Sequence, residues 1–86
     1  MHVWVLETLT RDDEYCYHDS KIVAIYSKSS FQKARKHFKE LCTGYPADEY
    51  EIERCKNENG YHFNACTESY KGFKRYYVGL IRKELL

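Results

Sequence analysis

The order of hydrophobic and polar residues in the first third of the chain predicts two antiparallel strands. Residues 3–10, VWVLETLT, and residues 21–27, KIVAIYS, are rich in β-branched and aromatic residues, which favour strands. Apolar side chains fall on both faces of the first strand, which is typical of a strand covered on two sides. The polar residues 11–20 predict a long hairpin loop, although residues 14–17, EYCY, can also extend the first strand.

The stretch SSFQKARKHFKELCTGYP, residues 29–46, predicts a helix with a start, an amphipathic middle and an end. Its apolar residues recur at the spacing of one helical face: Phe31, Ala34, Phe38, Leu41 and Cys42. Ser29 and Gln32 have the spacing of a capping box, which satisfies two free backbone N–H groups at a helix start. Gly44 and Pro46 then end the helix. We therefore expect a helix from Phe31 to Cys42 with its lysines turned outward.

The second half of the chain predicts three more strands, over residues 48–56, 61–66 and 74–85. In the first of them, DEYEIERCK, apolar and acidic residues alternate, which predicts a half-buried strand with a solvated acidic face. NENG, residues 57–60, is a hairpin signal, and YKGF, residues 70–73, is a second turn. The last segment is predicted to be a strand rather than a short helix, because Gly79 suits a bulge or a close backbone approach.

The predicted order of elements is β-β-α-β-β-β. One helix with one apolar face can cover one face of an antiparallel sheet and so bury a single core. The sequence therefore predicts an α+β fold, a two-layer sandwich with one helix packed on an antiparallel sheet of four to five strands. Residues 1–86 make one domain in this interpretation.

Length and composition narrow the class of protein. A chain of 86 residues with 43% hydrophobic and 31% charged residues is typical of a small globular domain. It has no apolar run long enough to span a membrane and no recognisable signal peptide. Its four cysteines are interpreted as free thiols in a reducing compartment. We therefore expect a cytoplasmic protein, in the host cytoplasm if a phage encodes it.

The first half of the chain also has a pattern that goes beyond composition. The strand VWVLETLT and a loop precede IVAIYSKSSFQKARKHF, in which Tyr26-Ser27 ends a strand and Lys33-Ala34 lies in the following helix. Over residues 3–53 this order resembles a group of small uncharacterised β-β-α-β proteins of bacteria and their phages. The resemblance implies the fold and a phage or bacterial origin, and it implies no catalytic residue.

Soft metal ligands occur in the predicted hairpin. If residues 57–60 form its turn, Cys55, His62 and Cys66 project from one face, where they can begin a zinc site. No C-x-x-C pair accompanies them, so the sequence favours ordinary strand residues and predicts neither a metal nor another cofactor.

Catalytic groups are equally sparse. Cys16 and His18 share a strand face if EYCYH is extended, but no glycine-rich loop that could cradle an anion accompanies them. Glu49, Glu51 and Glu53 share a face at spacings of about 6–7 Å, which favours a solvated acidic stripe over acid–base chemistry. The stripe can alternatively recognise a basic surface. We therefore predict that the protein is not an enzyme, and no catalytic residue is assigned.

The predicted helix concentrates positive charge in a chain whose net charge is only +1. Lys33, Lys36 and Lys39 are three residues apart and thus neighbours on the outer face, with Arg35 beside them. Glu40, four residues after Lys36, is the one acidic residue placed to relieve them. A solvated face tolerates this repulsion, whereas a docking face uses it to attract an anionic partner.

The sequence thus favours a small non-enzymatic binding protein that occupies a surface on a host protein or protein complex. A narrower hypothesis is a phage-encoded or mobile-element-encoded inhibitor of a host defence system, such as an anti-CRISPR protein. Tyrosine and arginine are frequent anchors of protein interfaces. The predicted partner-binding residues are Lys33, Arg35, Lys36, Lys39, Tyr76 and Tyr77.

Two alternative functions stay open. A nucleic-acid-binding regulator would use the basic helix face and stack bases on sheet aromatics, chosen from Tyr61, Phe63, Tyr76 and Tyr77. A metal-stabilised domain would use the hairpin ligands. A homodimer is a further interpretation, because apolar residues on both faces of the last strand leave a second subunit to cover the face opposite the helix.

Overall fold

The computed structural model describes residues 1–69 and 72–85. Along the chain the elements are β1 His2–Asp12, β2 Tyr17–Ser27, a 3₁₀ turn Lys28–Ser30, α1 Phe31–Leu41, β3 Glu51–Asn57, β4 Gly60–Ser69 and β5 Gly72–Glu84. The predicted α+β fold and the order β-β-α-β-β-β are confirmed, with five strands in the sheet.

All neighbouring strands are antiparallel, and their order across the sheet is β2-β1-β5-β4-β3. The last strand of the chain is therefore inserted between β1 and β4, at the centre of the sheet. A central strand loses solvent exposure along its length, which explains the apolar run around Val78 and Leu80 in β5. The edges of the sheet are β2 and β3.

The core lies between α1 and one face of the sheet. The fully buried residues come from the helix and from the central strands: Leu6, Ala34, Phe63, Ala65, Val78 and Leu80. Ala34 has no exposed surface, because its small side chain lets the helix backbone approach the sheet closely. Phe31 adds an aromatic contact at one end of the helix, with its ring 4.7 Å from that of Trp4.

The helix covers only part of this face. Its backbone lies over β2, β1 and β5, and in the described part of the chain it does not approach β3 or β4. Two tyrosines from the segment after the helix, Tyr45 and Tyr50, extend the cover. The ring of Tyr45 is 5.4 Å from Tyr50, 5.8 Å from Phe63 and 5.1 Å from Tyr76, measured between centroids.

The hairpin between β1 and β2 is tighter than predicted. The long loop expected over residues 11–20 is wrong, because β1 runs to Asp12 and β2 begins at Tyr17. Asp13 is bound by the side chain of Arg11, which lowers the pKa of that carboxyl. Lys74 of β5 lies 3.3 Å from Glu14, and this hydrogen bond raises the pKa of the lysine. The acidic residues that led to the prediction of a loop are thus paired with cations at the ends of the strands.

The start of the helix also differs from the prediction. Ser29 lies in the 3₁₀ turn and the N-cap is Ser30, which makes no side-chain capping bond. The hydroxyl of Ser27 instead lies 3.1 Å from that of Ser29 and 3.2 Å from that of Ser30. The helix end is as expected within one residue, since α1 ends at Leu41 with Cys42 as C-cap, and Gly44 has a φ of +90°.

The predicted hairpin at residues 57–60 is confirmed. Asn57 pairs with Gly60, and the Asn57 side-chain oxygen accepts hydrogen bonds from the backbone N–H groups of Asn59 and Gly60. The second predicted turn, YKGF, falls partly on residues 70 and 71, which lie outside the described residues. Gly72 opens β5.

The predicted bulge or close backbone approach at Gly79 is wrong, because the pairing of β5 is regular there and the close contact is made by a side chain. The phenol of Tyr77 lies over this glycine, and a Cβ built on Gly79 would clash with the tyrosine oxygen. The same oxygen shares a hydrogen bond of 2.8 Å with Nδ1 of His62 on β4. Tyr77 therefore covers the backbone of β5 on the face opposite α1 and ties it to the neighbouring strand.

We predict that the cost of Gly79→Ala depends on Tyr77. In the natural chain the new methyl group displaces the phenol, so we expect unfolding free energy to fall by about 1–3 kcal/mol. In a Tyr77→Ala background the space is free, and Gly79→Ala should be neutral or stabilise by up to about 1 kcal/mol. Urea unfolding of the four variants measures the difference. Equal costs in both backgrounds would show that Tyr77 is not the cause.

Candidate functional site

The outer face of α1 is positively charged and exposed. Lys33, Arg35, Lys36 and Lys39 all face solvent, while the apolar stripe of the helix packs on the sheet. Among the described residues no ion pair involves any of these four side chains, and Glu40 makes none with Lys36. The positive charge of the helix is therefore left available to another molecule.

Two further cations extend this surface onto the sheet. Along β3, Ile52, Arg54 and Lys56 project to the side of the helix, because their cross-strand partners on β4 are Ala65, Phe63 and Tyr61. The guanidinium of Arg54 lies 5.3 Å from the ring centre of Phe63, and Nζ of Lys56 lies 5.4 Å from that of Tyr61. Arg35 reaches the same Tyr61 ring from the helix, at 6.0 Å.

A groove separates the end of α1 from the β3–β4 hairpin. We call it the basic groove; its volume is about 400 Å³, and its floor is formed by Phe38, Cys42, Tyr61 and Phe63. Cations stand on its rim: Lys39 from the helix and Arg54 and Lys56 from β3. The groove exists because the helix backbone stops short of β3 and β4, which leaves Tyr61 of β4 only partly covered.

The properties of Cys42 show that the floor of this groove is apolar. Burial raises the pKa of its thiol to about 11, and the nearby positive charge of Arg54 acts in the opposite direction. The thiol is therefore neutral at physiological pH and behaves as a small apolar group. The floor is apolar and the charge is confined to the rim.

The six predicted partner-binding residues do not form one surface. Lys33, Arg35, Lys36 and Lys39 lie together on α1, but the two tyrosines are elsewhere. Tyr76 is packed beneath Tyr45 and Tyr50 on the helix side of the sheet. Tyr77, the next residue, points to the opposite face and is bound to His62. Adjacent residues of a strand alternate between faces, so the pair divides between the two sides.

The predicted stacking platform for bases is not present. Phe63 is only 1% exposed, and Tyr61 is packed against the rings of Phe31 and Phe38 at 6.1 Å. Tyr76 lies in the core beside Tyr45. Three of the four sheet aromatics proposed for nucleic-acid binding, Tyr61, Phe63 and Tyr76, therefore pack the core, and the fourth, Tyr77, is bound to His62 on the opposite face.

The predicted metal ligands share a face but do not meet. Cys55 and His62 are direct cross-strand partners, whereas Cys66 is four residues further along β4, roughly 13 Å away. In residues 1–69 and 72–85, no group of three or more His, Cys, Asp or Glu side chains is placed to hold a metal ion.

The other groups weighed for chemistry are also dispersed. Cys16 is not in an extended strand with His18, because it lies in the β1–β2 turn with a φ of 50°. Glu51 and Glu53 are exposed on the face of β3 opposite Arg54 and Lys56, as predicted for a solvated stripe, and Glu49 precedes the strand.

The sheet face opposite α1 is partly apolar. Ile22 and Ile25 of β2 are 61% and 62% exposed, and Leu9 of β1 is 38% exposed. The register of β1 with β2 shifts between Leu6 and Glu7, so Val23 and Ala24 both turn towards the core and Ile22 is left on the outer face. This face suits the predicted homodimer, which stays a prediction.

Comparison of the chain with known protein families, with curated proteins and with solved structures finds no match. The resemblance to small phage and bacterial proteins therefore gains no support from these comparisons. Within the described residues, no helix is both long and apolar enough to cross a membrane.

We predict that Cys42 is the slowest thiol to alkylate in the folded protein. The thiolate is the reactive form, and a raised pKa keeps Cys42 protonated to higher pH. At pH 8 we expect iodoacetamide to modify Cys42 about tenfold or more slowly than the exposed Cys16 and Cys55. The Cys42 rate should climb as pH rises from 8 towards 10. Peptide mass spectrometry measures the rates.

Urea-unfolded protein is the control for this measurement, since the rates of the thiols should then converge. Modification of Cys42 as fast as that of Cys55 in the native state would contradict the apolar floor of the basic groove.

Proposed function

We propose that the protein is a non-enzymatic binding protein that occupies an acidic surface on another protein through the outer face of α1. The observation that carries the proposal is the set of exposed cations on α1 without an ion pair among the described residues. A fold that needed these charges internally would pair them, as it pairs Lys74 with Asp12 and Glu14.

The electrostatic arrangement supports docking. The cations of α1, together with Arg54 and Lys56 of β3, lie on the helix side of the sheet, and Glu51 and Glu53 lie on the other side of β3. A body with segregated charge orients itself in the field of a partner during approach and disfavours wrong orientations. The rigid helix also presents its charges at a constant spacing, which reduces the entropy lost on binding.

The narrower form of the proposal is a phage-encoded or mobile-element-encoded inhibitor of a host defence system, such as an anti-CRISPR protein. Its support is the small size of the chain, the exposed charged helix and the resemblance of residues 3–53 to small phage and bacterial proteins. In such a mechanism the protein acts by covering a surface that the host complex needs, so it requires affinity and no chemistry of its own.

A nucleic-acid-binding regulator is the second candidate. Arg54 and Lys56 favour it, because they enlarge the positive surface beyond the helix. The packed aromatic rings and the acidic side chains on the same strand weigh against it, since they offer no base stacking and repel phosphate.

We predict that Lys33→Glu combined with Lys36→Glu weakens partner binding by about tenfold or more, because it reverses charge at the proposed contact. The thermal midpoint should change little, since both side chains are exposed. The partner is first captured from host lysate and identified by mass spectrometry, and its affinity for purified variants is then measured by calorimetry.

The matched control is Lys21→Glu with Lys83→Glu, which changes the net charge equally on exposed residues of β2 and β5. It should retain nearly full affinity. If both double variants bind equally well, the helix is not the docking surface; if both lose binding equally, net charge rather than α1 is responsible. A captured nucleic acid with steeply salt-dependent binding would instead select the second candidate.

A further inference from the structure

The basic groove combines an apolar floor, which borders the core of the fold, with a charged rim that makes no ion pair among the described residues. Phe38 and Tyr61 are only partly buried and line the groove together with the neutral thiol of Cys42, while Phe63 closes the floor beneath Arg54. A volume of about 400 Å³ is within the range of roughly 300–1,000 Å³ that is typical of small-ligand sites. The groove is therefore large enough to accept a side chain from outside.

The rim has an unbalanced positive charge. Lys39, Arg54 and Lys56 make no ion pair among the described residues. Arg54 and Lys56 are held over aromatic rings at 5.3 and 5.4 Å, which restricts their motion without neutralising them. Cations positioned in this way are prepared to receive carboxylates at either side of the groove.

The positive and negative side chains of β3 lie on opposite faces of the strand. On β3, Glu51 and Glu53 project from the opposite face, so they lie across the sheet from the groove and do not enter it. An anion that approaches from the helix side therefore meets positive side chains first. The strand presents opposite signs to its two sides.

We propose that the basic groove binds an acidic peptide segment that carries one large apolar side chain, with the apolar side chain on the floor and the flanking carboxylates on the rim. This inference deepens the proposed function and rests on it, because it specifies the part of the partner protein that is recognised. The helix cations Arg35 and Lys36 continue the same positive surface and extend the contact beyond the anchor.

Nucleic acid fits this groove less well. Binding of single strands depends on aromatic faces that are free to stack on bases. Here the Tyr61 ring is approached by Arg35 and Lys56, and Phe63 is buried beneath Arg54. A single apolar anchor needs only one apolar contact surface, which the partly exposed Phe38, Cys42 and Tyr61 provide, and it does not need a succession of free aromatic faces.

The test uses short peptides of defined chemistry. The probe is acetylated and amidated Glu-Glu-Trp-Glu-Glu, titrated into isotope-labelled full-length protein and followed by the shifts of backbone amide signals. We expect saturable binding at roughly millimolar peptide, with the largest shifts at Cys42, Arg54 and Tyr61. Gln-Gln-Trp-Gln-Gln removes the charge and Glu-Glu-Ser-Glu-Glu removes the anchor; each should bind several-fold more weakly.

Protein variants locate the site. Arg54→Glu with Lys56→Glu should weaken binding of the acidic tryptophan peptide about tenfold or more. The same spectra show whether this variant remains folded. Lys21→Glu with Lys83→Glu carries the same change in net charge away from the groove and should bind almost as well as the natural chain. If the β3 variant fails to fold, Cys42→Phe, which fills the floor, gives the equivalent test.

Several outcomes would overturn the inference. These are equal binding of the glutamine peptide, shifts that map outside the groove, no shifts at all, and tighter binding of a single-stranded oligothymidine to the same residues. If the peptides fail while capture of a partner still depends on Lys33 and Lys36, the groove assignment falls and the proposed function stands. If the peptides bind the groove but reversal of Lys33 and Lys36 leaves partner affinity unchanged, the groove stands and docking through α1 falls.

Discussion

The structure depends on one geometric constraint: a single short helix has to cover one face of a five-stranded sheet. A helix with its side chains is about 10–12 Å wide, whereas five strands span about 20 Å between the outer two. Helix α1 therefore covers β2, β1 and β5, and the fully buried core gathers beneath it around Leu6, Leu80 and Ala34. Two tyrosines from the following segment, Tyr45 and Tyr50, cover part of what remains.

The surface features of the protein follow from the same constraint, because the helix is too narrow to cover the whole face of the sheet. The basic groove lies between the end of the helix and the β3–β4 hairpin, so its floor combines Phe38 and Cys42 from the helix end with Tyr61 and Phe63 from β4. In the described part of the chain no other element packs on the outer face of the helix. That face is therefore exposed to solvent, and it carries the lysines. Function is thus proposed at the boundary of the core, where apolar and charged groups meet.

The sequence predicts the secondary-structure elements well, but it predicts poorly which residues share a surface. Local spacing is sufficient for α1, since the pattern from Phe31 to Leu41 repeats within the segment, and for the turn at Asn57, whose side chain caps its own loop. The predicted loop over residues 11–20 was too long, because Asp12 and Glu14 are paired with Lys74, which is more than fifty residues away in the chain.

Only part of the candidate site could be predicted from the sequence. Helical spacing places Lys33 and Lys36 outward, but the fate of Tyr76 depends on Tyr45 and Tyr50, which no local pattern connects to it. The role of Arg54 and Lys56 had a signal in the sequence, because they alternate with Glu51 and Glu53 and so share a face with Ile52. That alternation predicts two faces of opposite charge, but it does not reveal that one face borders a groove.

Strand β3, which carries this alternation of charges, is also an edge of the sheet. The alternation therefore determines which strands can pair with that edge. If two copies paired through β3 about a two-fold axis, side chains of the same face would stand opposite one another. A register centred on Arg54 opposes two arginines, one centred on Glu53 opposes two glutamates, and one centred on Cys55 opposes Arg54 and Lys56. Like charges directly opposite each other are unfavourable, so this edge resists pairing with a second copy of itself while it remains open to a strand with the reverse pattern of signs.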